Sequence, residues 1–280
     1  MDRHISQAQF TAFEHHLRLE EREPGTIEKY LRDIRAFARW LEEKPLNKET
    51  VVDWKEHLLA SGYAPSTINS MLIAVNRFFR FQRWDELRVK TVRVQRRIFR
   101  SRDRELTKEE YVRLLEAAHA LGRERLALLM ETICATGIRV SEVRYITVEA
   151  AQMGRAEIAL KGKIRTILLP GKLRRKLLKY AKKQNTGSGE IFLTRTGKGM
   201  SRRQIWAEMK AICRQAGVAP SKVFPHNLRH LFARTFYKVC RDVVQLADVL
   251  GHSSVETTRI YLATTGDEYV RRMDRLGLVS

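Results

Sequence analysis

Five residues near the C-terminal end of this 280-residue chain have types suited to phosphoryl chemistry: His226, Arg229, His230, His252 and Tyr261. They fall in the strings Phe-Pro-His-Asn-Leu-Arg-His, Leu-Gly-His and Arg-Ile-Tyr. Upstream, Ala-Thr-Gly-Ile-Arg-Val-Ser-Glu carries Arg139 and Glu142, and Lys161-Gly162-Lys163-Ile164-Arg165 lies between the two regions. A phosphodiester is an anion whose charge grows as a nucleophile adds. Guanidiniums match its oxygens two at a time. A tyrosine hydroxyl attacks once its proton has an acceptor, and imidazole or ammonium can move protons. Singly, each residue has a plainer use: Tyr261 in half-buried packing, Arg139 in an ion pair, His230 in a core. The joint pattern within a basic chain points to tyrosine attack on a phosphodiester.

Several elements must position these groups. Pro225 suits the first turn of a helix that presents His226 and Arg229 together and turns Leu228, Leu231, Phe232 and Phe236 inward. Asp242 can cap a helix through Leu246, Val249 and Leu250 that Gly251 ends. His252 then follows a helix C-terminus, where the dipole favours a protonated imidazole. Ser253 and Glu256 match a capping box for a helix ending near Tyr261. Thr107 and Glu110 match another, and a helix from Arg123 to Ala135 stops at Gly137. Glu157–Leu160 and Arg165–Leu169 read as a hairpin with Gly162-Lys163 as its central turn pair. Helices follow over Leu173–Lys183 and Arg203–Gln215, with a short strand at Ile191-Phe192-Leu193 between them.

Residues 1–95 read as a separate helical domain. Phe10, Phe13 and Leu17 recur at helical spacing, as do Tyr30, Ile34, Phe37 and Leu41. Thr26 is placed to cap the second helix, Asn47 or Lys48 opens a third through Val51, Trp54 and Leu58, and Ser66 is placed to cap a fourth through Ile68, Leu72, Val75, Phe78 and Phe79. Four short helices with brief turns suit a small bundle with its Phe and Trp residues in the core. A linker over 96–104 separates this domain from a second over 105–280. Between Arg88 and Arg102 there are seven basic residues and no acidic one: Arg88, Lys90, Arg93, Arg96, Arg97, Arg100 and Arg102. That run reads as a DNA-binding connector lying along phosphates, or as a solvated charged strap.

The formal net charge is +21. Residues 1–100 hold 19 basic and 14 acidic residues, against 34 and 18 in the remainder, so most of the excess lies in the second domain. Such a surface suits a polyanion, with nucleic acid the commonest. An anionic membrane fits less well, because the charge is not gathered on one amphipathic helix. The three cysteines are Cys134, Cys213 and Cys240, widely spaced and odd in number. They fit buried thiols in a reducing cytoplasm, so the location expected is cytoplasmic. The N-terminus does not read as a signal peptide, and no apolar run approaches a membrane span.

With these strings in place, the sequence resembles the tyrosine recombinase (integrase) family over nearly its whole length. Residues 105–265 contain the family's arginine box at Arg139, the His-x-x-Arg box at His226 and Arg229, the Gly-His box at His252 and the tyrosine box at Tyr261. The resemblance implies a mainly α fold. It comprises a four-helix, SAM-like core-DNA-binding domain and a mostly helical catalytic domain with a small antiparallel β-sheet. It implies that Arg139 and Arg229 clamp the phosphate and that Tyr261 attacks, giving a 3′-phosphotyrosine and a free 5′-hydroxyl without ATP or metal. No cofactor is expected. His226 would handle the tyrosine proton, and His252 would hydrogen-bond the phosphate. Lys161, or else Lys163, would protonate the leaving oxygen, because the hairpin turn is one residue tighter than the family's. Glu142 and His230 would support the site. The partner implied is double-stranded DNA at a short core site, held by a homotetramer whose tail, 262–280, is exchanged between subunits, with accessory proteins a further partner class. The expected activity is site-specific recombination through a Holliday junction, for a mobile element or, alternatively, for Xer-type chromosome-dimer resolution. A type IB topoisomerase and a non-catalytic DNA-binding regulator are the rival readings.

Overall fold

The computed structural model describes residues 4–93, 104–160, 163–262, 270 and 273–277. The chain divides into two compact units, Met1–Arg96 and Arg97–Ser280.

The first unit is built from α1 (Gln7–Leu19), α2 (Pro24–Leu41), α3 (Lys48–Ala60) and α4 (Pro65–Phe81). Ser6 and Asn47 cap α1 and α3 with their side chains. Thr26 and Ser66 do not cap α2 and α4, which begin earlier, at Pro24 and Pro65. A proline at the first helical position has its φ preset and no N–H to satisfy, so each helix starts there without a side-chain cap. The apolar stripes meet in a core of aromatic rings. Phe13 meets Phe78 edge-on at 5.4 Å, and Phe37 packs on Trp54 at 4.9 Å.

Two asparagines seven residues apart on α4 grip the chain that leaves this unit. Asn76 Nδ2 donates to the Val89 carbonyl at 2.8 Å and its Oδ1 accepts the Val89 N–H at 2.9 Å. Asn69 does the same to Val92 at 2.9 and 2.7 Å. In the basic run, Arg88 pairs with Asp85 at 2.9 Å, and Lys90 and Arg93 are exposed. Arg96, Arg97, Arg100 and Arg102 lie outside the described residues.

The second unit contains α5 (Lys108–Ala120), α6 (Glu124–Thr136), a 3-10 turn (Val140–Tyr145), α7 (Val148–Met153), strands β1 (Arg155–Leu160) and β2 (Lys163–Leu168), α8 (Gly171–Lys183), α9 (Arg202–Ala211), α10 (Cys213–Ala216), α11 (Pro225–Cys240), α12 (Val243–Leu250) and α13 (Val255–Leu262). The Thr107 capping box opens α5 as expected. Helix α6 runs through the core, with Leu126, Leu129, Met130 and Ile133 fully buried.

Four further expectations, all in the second unit, need correction. The hairpin pairs Leu160 with Lys163, so Lys163 belongs to β2 and not to a Gly162-Lys163 turn pair, while Lys161 and Gly162 lie outside the described residues. The ladder extends further along the Lys163-Ile164 end than the β-branched residues alone suggest. Ile191-Phe192-Leu193 is not a strand. Only isolated bridges flank it, Thr147 with Glu190 and Leu193 with Gly199, while Ile191 and Phe192 are buried for packing. The helix expected over Arg203–Gln215 breaks at Ile212 into α9 and α10. The fourth concerns α13, where the hydroxyl of Ser254 and not Ser253 accepts the Glu256 N–H, at 3.2 Å. Among the described residues, no helix is long and apolar enough to cross a membrane.

Candidate active site

The site forms where α6, β2, α11, α12 and α13 converge. Helix α6 ends at Gly137, whose φ of +65° suits glycine, and a Cβ there would lie 2.4 Å from the Phe232 ring. The left-handed turn throws Arg139 outward while its backbone stays tied: the Arg139 N–H donates to Glu142 Oε2 at 2.8 Å, and Nη1 donates to Oε1 at 2.8 Å. Glu142 is 1% exposed. Its second cation is Arg165 from β2, whose Nη1 reaches both carboxylate oxygens at 3.0 and 2.8 Å. Burial alone would raise the Glu142 carboxyl, but the Arg139 N–H and the two guanidiniums hold it below its ordinary range.

Three consecutive carbonyls at the end of α12 collect three guanidiniums. Arg165 Nη2 donates to Val249 O at 2.7 Å, Arg229 Nη2 to Leu250 O at 2.8 Å, and Arg139 Nη2 to Gly251 O at 3.3 Å. The last carbonyls of a helix have no intrahelical partner and form the negative end of its dipole, so this terminus seats cations drawn from three distant segments. Arg229 is 2% exposed, and its Nη1 also donates to the Gly137 carbonyl. Burial lowers its pKa, an effect opposed by its hydrogen bond with Tyr261. Arg139 differs, because 43% of its side chain is open to solvent.

Tyr261 on α13 is 6% exposed and surrounded by imidazoles. His230 lies 4.3 Å from its ring centroid, His252 stacks at 5.5 Å and 18°, and His226 stands at 6.1 Å. Helix α11 therefore splits its motif: Arg229 and His230 face inward, and His226 stays exposed at the rim. His252 departs from the dipole argument. Burial, followed by the charges of Arg229, Arg139 and Arg165, pushes its pKa down to about 4, so the imidazole is neutral near pH 7. Proximity to the end of α12 favours a cation, but the guanidiniums already seated there outweigh that partial charge.

The structure brings Arg139, Glu142, His226, Arg229, His230, His252 and Tyr261 into one site. Lys161 lies outside the described residues, and Lys163 opens β2. Arg139, Arg165, Gly251, His252, Ser253 and Thr257 border an open depression of about 530 Å³. A second, of about 640 Å³ beside Arg123, Tyr180 and Lys183, contains none of the site residues. Two contributors were not singled out by the sequence motifs, Arg165 and Thr258. Arg165 stood in view within the hairpin string. Thr258 sits one helical turn before Tyr261, a spacing that places both on one face.

Comparison with known proteins agrees with this geometry. Residues 104–267 match the phage integrase family, and residues 10–86 match the phage integrase N-terminal SAM-like domain. The chain is 29% identical over 276 residues to tyrosine recombinase XerA of Thermococcus kodakarensis, covering 95% of this chain and 94% of that one. It is 30% identical to tyrosine recombinase XerD of Brucella suis biovar 1 over 286 aligned positions, covering 89% and 91%. Its fold is similar to that of lambda integrase residues 75–356, crystallised as a dimer on a COC′ core site, with TM-score 0.73, 18% identity and coverage of 91% and 94%. It is also similar to XerH recombinase bound to difH substrate, with TM-score 0.69, 20% identity and coverage of 95% and 84%. The chain thus belongs to the phage integrase family, the tyrosine-type site-specific DNA recombinases.

Proposed function

We propose that this chain cuts and rejoins DNA at a short core site with Tyr261 as nucleophile. The observation that carries the reading is Tyr261 buried against His230 and His252, the latter bonded to the buried Arg229, next to the solvent-open Arg139. Arg229 supplies a fixed charge at the floor and Arg139 an accessible one, so the scissile phosphate is clamped where the tyrosine oxygen can reach phosphorus. Attack breaks the bond to the 5′-oxygen and forms a 3′-phosphotyrosine. Lys161, with Lys163 as the other candidate, protonates the departing oxygen. His226, at the exposed rim, takes the tyrosine proton. Glu142 and His230 hold Arg139 and Tyr261 in place. His252 contacts the phosphate once the bound anion has displaced or drawn in its partners. The ester energy stays in the phosphotyrosine, so ligation to a new strand needs neither ATP nor metal.

The working assembly is a homotetramer on two DNA sites in the cytoplasm, with residues 262–280 passed to a neighbour. Val270, Met273 and Leu276 are exposed at 56%, 64% and 64% within the chain, which fits apolar groups that find their cover elsewhere. The tight hairpin and the His-Asn-Leu-Arg-His string favour the integrase or transposase of a mobile element. The full-length similarity to XerA and XerD favours chromosome-dimer resolution as the second setting.

The test is covalent trapping on nicked DNA duplexes drawn from around the gene, with wild type and Tyr261→Phe side by side. A Tyr261-dependent adduct on one short sequence supports the reading, and the position of that sequence separates element ends from a chromosomal site. Adducts spread over all sequences would replace it with topoisomerase activity. Binding without any adduct would leave a regulator.

A further inference from the structure

The buried hydroxyl of Thr258 has no place in the chemistry above, yet it lies at the end of a hydrogen-bond chain that starts at the phosphate clamp. Thr258 is 0% exposed on α13, three residues before Tyr261. Its Oγ1 is 2.8 Å from His252 Nδ1, and His252 Nε2 is 2.9 Å from Arg229 Nη2. A guanidinium nitrogen only donates, so His252 Nε2 accepts. A neutral imidazole with an accepting Nε2 carries its proton on Nδ1, and that proton is donated to Thr258. The chain runs in one direction, from Arg229 through His252 to Thr258. Its order is fixed by the one member that cannot accept.

We propose that Thr258 is a positioning residue for the nucleophile. It fixes the His252 tautomer and, through it, docks α13 so that Tyr261 meets Arg229. Three features support this. Among the described residues, His252 bridges the Thr258 side chain, one turn before Tyr261, to the buried clamp guanidinium. Tyr261 stacks on that same imidazole at 5.5 Å, so the orientation of the ring is also the wall against which the nucleophile rests. The tautomer also bears on the phosphate. With its lone pair committed to Arg229, His252 holds that guanidinium in register until the anion arrives. Without the Thr258 acceptor, the Nδ1 proton would be buried and unpaired, and the ring would turn or change tautomer. Either outcome loosens Arg229 and Tyr261 together.

The proposal rests on Tyr261 being the nucleophile, and the test separates the two. Thr258→Val keeps the shape and removes the acceptor, and Thr258→Ser keeps the acceptor. In single-turnover adduct formation on the nicked site, Thr258→Val is expected to be about 10–100-fold slower per active molecule, with DNA affinity within about two-fold of wild type. Thr258→Ser is expected within about three-fold of wild type. Ring nitrogen NMR on the free full-length chain, assigned with His252→Gln, is expected to show a protonated Nδ1 and a bare Nε2 in wild type and Thr258→Ser. Thr258→Val is expected to lose that pattern. Three results would overturn the proposal: a wild-type His252 protonated on Nε2, a Thr258→Val chain that cleaves at the wild-type rate, or a Thr258→Ser chain as slow as Thr258→Val, since the last would assign the role to packing. An adduct that survives Tyr261→Phe overturns the nucleophile assignment instead, and the NMR arm still decides the hydrogen-bond chain.

Discussion

Asp33 in the first unit and Glu142 in the second are both carboxylates removed from water, at 2% and 1% exposure, and each has two cationic partners. Asp33 meets Lys29 at 2.7 Å and Arg32 at 2.9 Å, both from its own helix and exposed at 36% and 70%. Glu142 meets Arg139 from its own turn and Arg165 from β2, the latter only 13% exposed. The first pairing is local, so its cations can return to water if the carboxylate is lost. The second also ties the Glu142 turn to β2, and losing the carboxylate strands the Arg165 guanidinium beside Arg229, although Arg139 can turn to water. An ion pair of the second kind is a tertiary cross-link, although both have the same chemistry.

The largest expected difference follows from this contrast. Glu142→Ala should destabilise the chain by about 3–5 kcal/mol, because a partner of buried charge is removed. It should also slow adduct formation by about 100-fold through misplaced Arg139. Asp33→Ala should cost about 1 kcal/mol and leave the rate on saturating DNA unchanged. Urea denaturation and single-turnover cleavage measure both, and equal losses for the two variants would break the comparison.

Glycines sharpen it next. Gly62 in the first unit and Gly137 in the second have φ of +73° and +65°, but a Cβ at Gly62 meets nothing within 4 Å, while one at Gly137 would press on Phe232 at 2.4 Å. Gly62→Ala should cost about 1 kcal/mol for the backbone alone. Gly137→Ala adds a clash under Arg139 and should cost about 3 kcal/mol, read as a lower melting temperature together with slower cleavage. Gly251→Ala belongs with Gly137→Ala, since its Cβ would fall 2.4 Å from Arg165 Cδ.

The smallest effect is on pH dependence. As pH falls from the ordinary 6.5 of an imidazole towards about 4, the unfolded chain binds the His252 proton before the folded chain does, so stability is lost across that window. Glu142 adds to the loss at lower pH. Its folded pKa lies below 4.5, so its contribution is present above 4.5 and disappears as pH falls through the folded value. His252→Gln should flatten the melting temperature between pH 6.5 and 4, and Glu142→Gln should flatten it only below. If wild type and His252→Gln lost stability in parallel from pH 6.5 to 4, the neutral-imidazole assignment would be falsified.

The sequence alone determined most of the elements and the class of chemistry. Helical spacing of Phe13, Leu17, Ile34, Phe37 and Trp54 marked the first unit, and the motif strings named Arg139, His226, Arg229, His252 and Tyr261, because both signals are local along the chain. Helix starts at Pro24 and Pro65 were misplaced only because proline competes with a Thr or Ser cap over one or two residues. What the tertiary structure decided was protonation, exposure and who holds whom. The His252 charge depends on burial and on three guanidiniums from three segments, and no dipole argument on its own helix contains them. The split of Arg229 inward from His226 outward depends on which neighbours cover α11. The seating of Arg165, Arg229 and Arg139 on Val249, Leu250 and Gly251 depends on β2 and α6 both reaching the end of α12. Spacing reports only neighbours within a turn or a ladder, whereas burial and electrostatics sum over whatever packs nearby, so these facts appear only once the chain is folded.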